Sequence, residues 1–154
     1  MQLNFYDTRI GDDYHTNLVK EKTVDYEVEK VNKPEEFAEM MQKVLFMDKL
    51  AEEYCYMIAL NNRNRVLGIF FISKGTVSQS VVGVREVYMR ALFVGAVHII
   101  LCHNHPSGDC TPSKDDILIT RKFKAAGEFM GISLSDHIII GGENYFSFYE
   151  SELM

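Results

Sequence analysis

The chain has 154 residues, 47% of them hydrophobic and 25% charged. That composition suits one compact domain with a sizeable core and excludes a disordered chain. The formal net charge of −6 argues against a protein whose main activity is gripping nucleic acid through its phosphates. The basic residues do not cluster beyond Arg63 with Arg65 and Arg121 with Lys122 and Lys124.

The N-terminus "MQLNFYDTRIGDDYHTNLVKEK" lacks a basic start followed by an apolar run, so no secretory signal is expected. The longest apolar run, residues 91–102, is interrupted by His98 and too short to span a bilayer. The cysteines are odd in number, and Cys55 and Cys102 sit in apolar runs, as reduced core thiols do. A soluble, cytoplasmic protein with no membrane association is the expectation.

Residues 1–22 are polar and weakly patterned. "TVDYEVEKV" then alternates, with Val24, Tyr26 and Val28 on one face, which predicts a half-buried strand. Pro34 suits the first turn of a helix carrying Phe37, Met40, Met41, Val44 and Leu45 at helical spacing. "EYCYMIAL" (53–60) and "VLGIFFISKG" read as two strands of a hairpin around the turn "NNRNR". "GTVSQSVVG" is a link or a short strand. Val84, Val87, Tyr88, Ala91 and Gly95 mark an amphipathic helix, and "VHIILCH" (97–103) a buried strand. Residues 112–130 predict a helix with Ile119, Phe123, Ala126 and Phe129 inward, closed by Gly131. "ISLSDHIIIGGENYFSFYES" supplies two more strands around Gly141-Gly142. The order predicts a mixed α/β sandwich, with residues 1–30 as a strand-containing extension and 31–154 as the main domain.

The chemistry concentrates in "ILCHNHPSGDCTPSKDDI", residues 100–117. Alternate side chains of an extended segment face the same way, so His103 and His105 point together. Pro106 favours extended geometry before it, and Gly108 allows a sharp turn after it. Thr111 as cap and Pro112 in the first position then resemble a helix start. Ser113 and Asp116 follow on one side of the first turns, where the aspartate can return to the histidines. Two imidazoles and a carboxylate, with one position open, form the ligand set of a catalytic zinc. The same residues also admit a plainer reading, in which Ser113 and Asp116 only cap the helix and the histidines bond loop carbonyls. The tripeptide His103-Asn104-His105 spells the name of a nuclease family whose site comes from separated elements; Asn104 is expected to face away from its neighbours.

"HNHPSGD" followed by "TPSKDDI" resembles the signature of the RadC family, a bacterial branch of the JAB/MPN (JAMM) metalloprotein superfamily. It also satisfies the wider pattern His-x-His, seven residues, Ser, two residues, Asp. "SKGTVSQSVVGVREVYMRAL" and "ISLSDHIIIGGENYFSF" resemble flanking segments of the family, so the resemblance covers about residues 34–150. It implies a cytidine-deaminase-like JAB/MPN sandwich, a mixed central sheet flanked by helices, with one Zn2+ held by His103, His105 and Asp116. Ser113 matches the serine that stabilises the oxyanion, and Glu53 the glutamate that acts as general base.

Glu52 should point to the other face of its strand. Glu86, the competitor to Glu53 for the base, is expected instead to be a surface or substrate-contact carboxylate pairing with Arg85 or Arg90. Cys110 stands where family members commonly have proline. His137, after Asp136, is a strand histidine that can support the site from behind. His98 should face away from His103 as a core histidine, and His15 lies outside the resemblance. Residues 1–30 are too short and too acidic to replace the helix-hairpin-helix module of longer RadC proteins. The resemblance thus implies a zinc-dependent hydrolase of metallopeptidase or isopeptidase type, acting on an unknown peptide or protein. The alternative is a DNA-repair-associated binding module with a structural or vestigial metal, DNA binding being weak at this charge. An oligomer is compatible with the Tyr- and Phe-rich tail. Base deamination is a poor third reading, because the chain has neither Pro-Cys-x-x-Cys nor His-x-Glu.

Overall fold

A computed structural model describes residues 1–75 and 83–154. The chain runs β1 (Gln2–Ile10), β2 (Thr16–Asp25), α1 (Pro34–Leu45), a single 3-10 turn (Met47–Lys49), β3 (Tyr54–Leu60) and β4 (Val66–Lys74). It continues through α2 (Val84–Phe93), β5 (His98–Asn104), α3 (Lys114–Met130), β6 (Ser133–Gly141) and β7 (Asn144–Ser147). The strands form one mixed sheet in the order β2-β1-β4-β3-β5-β6-β7. The β5–β6 and β1–β4 pairs are parallel and the others antiparallel.

Strand β5 shows why the sheet is covered on both sides. Ile99 and Leu101 point into a core shared with Val87, Tyr88 and Ala91 of α2 and Ile119 and Phe123 of α3. Ile100 and Cys102 point the other way, into a core with Phe37, Met40 and Met41 of α1. A strand buried on both faces needs a continuous apolar run rather than alternation. The two-sided α/β sandwich, the central hairpin, the three helices and the closing hairpin at Gly141-Gly142 stand as expected. Gly131 ends α3 in the left-handed region at φ 69°. The link expected over 75–83 lies, from 76 to 82, outside the described residues.

Four expectations are corrected. Residues 1–22, polar and weakly patterned, form most of a β-hairpin, with Leu3 and Phe5 in the α1-side core. Its outer strand β2 is an edge with no buried residue, so the alternation that marks a half-buried strand is missing. The strand predicted through Val28 ends at Asp25, opposite Gln2, where β1 runs out of partners. Tyr26 still enters the core, whereas Val28 is 42% exposed. Helix α3 starts at Lys114 with Ser113 as its N-cap, not at Thr111 and Pro112. Reciprocal bonds between Ser113 and Asp116 set that start.

The fourth correction is Phe129, which is 92% exposed. It lies six residues beyond Phe123, and at 3.6 residues per turn that brings it round to another side of the helix. Phe123→Ala should therefore cost about 3–5 kcal/mol of unfolding free energy. Phe129→Ala should stay within about 0.5 kcal/mol, both read from urea unfolding curves.

Candidate metal centre

The centre forms where β5 ends and α3 begins. His103, next after Ile99 and Leu101 in the alternation, projects on the α3 side and is fully buried. His105 lies one residue past β5, but its N–H still donates to the Ile140 carbonyl at 2.8 Å. Extended pairing thus persists long enough to put both rings on one side. Gly108 then turns the loop at φ 82°, with its N–H on the His105 carbonyl. The returning loop lies flat on Gly141, where a Cβ would come within 2.6 Å of the Cys110 nitrogen and 2.7 Å of the Gly108 oxygen.

Helix α3 delivers the carboxylate. Ser113 Oγ accepts the Asp116 N–H at 3.2 Å, and Asp116 Oδ2 accepts the Ser113 N–H at 2.7 Å. The pair caps the helix, and the same cap aims the carboxylate at the histidines. His103 Nε2 lies 3.2 Å from Asp116 Oδ1, His105 Nε2 lies 3.5 Å from Oδ2, and the two Nε2 atoms are 3.1 Å apart.

The tautomers follow from the partners behind each ring. Thr120 Oγ1 donates to the Asp116 carbonyl at 2.6 Å, so it accepts from His137 Nδ1 at 2.7 Å. Burial, followed by the charge of His103, holds His137 well below the ordinary histidine range, so it is neutral. Its Nε2 can then only accept, and it accepts from His103 Nδ1 at 2.8 Å. His105 Nδ1 faces the Asp109 carbonyl at 2.8 Å, which also can only accept. Each ring thus keeps a hydrogen on Nδ1, directed away from the centre, and turns its Nε2 toward the Asp116 carboxylate.

Burial pushes the Asp116 carboxyl up, but bonding to His103, His105 and Ser113 outweighs it and holds the group well below the carboxylate range. Bonding to Asp116 is likewise the largest cause that raises His105, with Glu53 a smaller one. Both directions express one fact: the carboxylate seeks positive charge at the Nε2 atoms. The two Nε2 atoms are 3.1 Å apart, and each lies 3.2–3.5 Å from a different oxygen of Asp116, with one ligand atom from each residue within 4.8 Å of the others. Among the described residues, His103, His105 and Asp116 form a buried group that could hold a metal ion.

The remaining expected residues fall around this centre. Glu53 immediately precedes β3, in step with Cys55 and Met57, which face the α3-side core. It is half-buried and close enough to His105 to act on it electrostatically. Glu52 pairs instead with Lys74 at 2.5 Å. Glu86 pairs with Arg85 on the surface at 3.2 Å. Ser113 uses an Oγ lone pair in the cap, which leaves its O–H able to donate. His98 faces away from His103 as expected but is half-buried rather than core. His15 pairs with Asp13 at the tip of the first hairpin.

Sequence reasoning missed Thr120 and Asp109, which orient the two rings. Thr120 stands one helical turn after Asp116, so its placement on the same face was legible from spacing.

A family model described as the RadC-like JAB domain matches residues 31–153. The chain belongs to the RadC family. It is 49% identical over 98 residues to a UPF0758 protein of Pelobacter propionicus, covering 64% of this chain and 43% of that one. A UPF0758 protein of Clostridium perfringens is 42% identical over 125 residues, 81% of this chain and 54% of the relative. One from Clostridium acetobutylicum is 41% identical over 129 residues, 84% and 56% respectively. The chain thus spans about half the length of the curated relatives it matches. The mixed sheet and its helices agree with a JAB-type fold, and no helix among the described residues is long and apolar enough to cross a membrane.

Behind the RadC centre, Asp136 accepts from Ser147 Oγ, the His137 N–H and the Tyr149 N–H at 2.6–2.9 Å. Burial outweighs these donors and pushes its carboxyl up to about 6, against about 3.9 in an unfolded chain. The folded state therefore holds this proton more tightly, so the contribution to stability grows as pH falls through 6 and is complete below 4. In metal-stripped protein, wild type should gain about 2 kcal/mol over Asp136→Asn between pH 7 and pH 4, measured by urea unfolding at each pH. Thr120→Val, which removes the acceptor behind His137, should weaken Zn2+ binding about 10- to 100-fold in calorimetric titration.

Proposed function

We propose that this chain is a zinc-dependent hydrolase of peptidase or isopeptidase type. The observation that carries the reading is the convergence of two Nε2 atoms and the Asp116 carboxylate at 3.1–3.5 Å, with each ring oriented from behind. His103, His105 and Asp116 would hold Zn2+, which when bound polarises an amide carbonyl and acidifies water. Glu53, on the same side of the sheet, takes the proton of the attacking water and returns it to the leaving amine. Ser113, whose O–H is able to donate, steadies the oxyanion of the tetrahedral intermediate. Burial of His103 and Asp116 keeps these charges in a low-dielectric setting where they act most strongly.

The competing reading, a DNA-repair-associated module with a structural metal, finds little support in a net charge of −6. The test is metal content after purification without added metal, followed by a screen of peptide and isopeptide substrates. About one zinc per chain is expected in wild type and none in the His103→Ala, His105→Ala double variant. Glu53→Gln should keep the zinc and lose about 10²- to 10⁴-fold in rate. Zinc-loaded wild type without hydrolysis, indistinguishable from Glu53→Gln, would leave the binding module as the better reading.

A further inference from the structure

Asn104, the residue between the two histidines, is 1% exposed and uses both ends of its side-chain amide. Its Nδ2 donates to the Glu52 carbonyl at 3.0 Å, and its Oδ1 accepts the Tyr54 N–H at 2.8 Å. These two backbone groups flank Glu53 on either side. On the opposite edge of the same strand, the Gly75 N–H donates to the Glu53 carbonyl at 2.8 Å.

We propose that Asn104 is a positioning residue for Glu53, tying the general base to the segment that carries His103 and His105. The inference rests on the hydrolase reading above. The register explains why a side chain is needed. The β3–β5 ladder has its last backbone pair at Cys55 and His103, so Glu53 lies beyond the end of the paired strand. Residues 50–53, which lead into it, belong to no helix or strand. The planar amide of Asn104 stands where the next rung would be and reproduces what a peptide group offers, one donor and one acceptor.

Few other side chains meet that demand. Aspartate keeps the acceptor for Tyr54 but sets a negative oxygen against the Glu52 carbonyl. Serine has too short a reach for both groups, and glutamine is one methylene too long. With the amide in place, the peptides on both sides of Glu53 are fixed to the residue between the two imidazoles. The backbone that carries the carboxylate then keeps a fixed place beside the histidine segment, within electrostatic reach of His105. The rings themselves are oriented by His137 and by the Asp109 carbonyl, so their hold on a metal does not pass through Asn104.

Three measurements on the full chain test this, using Asn104→Ala and the isosteric Asn104→Asp. First, amide exchange by NMR should show Tyr54 protection falling at least about 10-fold in Asn104→Ala, with Cys55 and His103 unchanged. Second, Zn2+ affinity should stay within about 3-fold of wild type, because the ligands keep their partners. Third, kcat on the substrate found in the screen should fall about 10- to 100-fold with KM unchanged. In the Glu53→Gln background, adding Asn104→Ala should give no further loss. Unchanged Tyr54 protection would overturn the positioning role, as would a kcat loss that adds fully to that of Glu53→Gln. Zinc-loaded wild type with no hydrolysis would overturn the parent reading and the catalytic role of Asn104 with it. The exchange data would then show separately whether the clamp exists.

Discussion

A buried carboxylate between two imidazoles is the constraint on which the rest of this structure depends. Asp116 is 2% exposed, and an ionised group so placed is costly unless its oxygens are satisfied. Its partners come from three directions: the backbone of its own helix start, His103 on the central strand, and His105 on the loop that follows. To bring them together, β5 and β6 must run parallel, with α3 crossing between them on one face of the sheet. The crossover that makes this fold is the same one that closes the centre.

The orientation of the centre is supplied by groups that do not converge on it. Thr120 on the second turn of α3 sets the hydrogen on His137, and His137 sets the one on His103. The Asp109 carbonyl does the same for His105. Each link is a neutral hydrogen bond of modest net worth, yet together they leave one tautomer for each ring. The loop of residues 105–110 can pack so closely because Gly141 offers no side chain where they touch. A hairpin glycine at one end of the sheet thus contributes to the shape of the centre.

Much of this was legible before any coordinates. The doubly covered strands read as continuous apolar runs, and the helices as periodic stripes. The His-x-His and Ser-x-x-Asp spacings placed three side chains within reach of one another. What escaped has physical reasons. The β2 strand is an edge with polar residues on both sides, so it carries no alternation to find. Phe129 continues the apolar series of Ile119, Phe123 and Ala126 along the chain, although its angular position on α3 points it to solvent. The helix start moved to Ser113 because a reciprocal pair of hydrogen bonds outweighs the preference of proline for a first turn.

Spacing along the chain by itself determined which residue types gather near the centre. Alternation in a strand and the rise of a helix are local rules, and they hold for His103, His105, Ser113 and Asp116 whatever surrounds them. Only the tertiary structure decided what those residues are made to do. Which ring nitrogen carries hydrogen depends on Thr120, His137 and Asp109, brought in from elsewhere in the fold. Whether Asn104 is an idle residue between two histidines or a brace on Glu53 depends on the register of β3 against β5. That register is set by the packing of the whole sheet, and no local pattern encodes it.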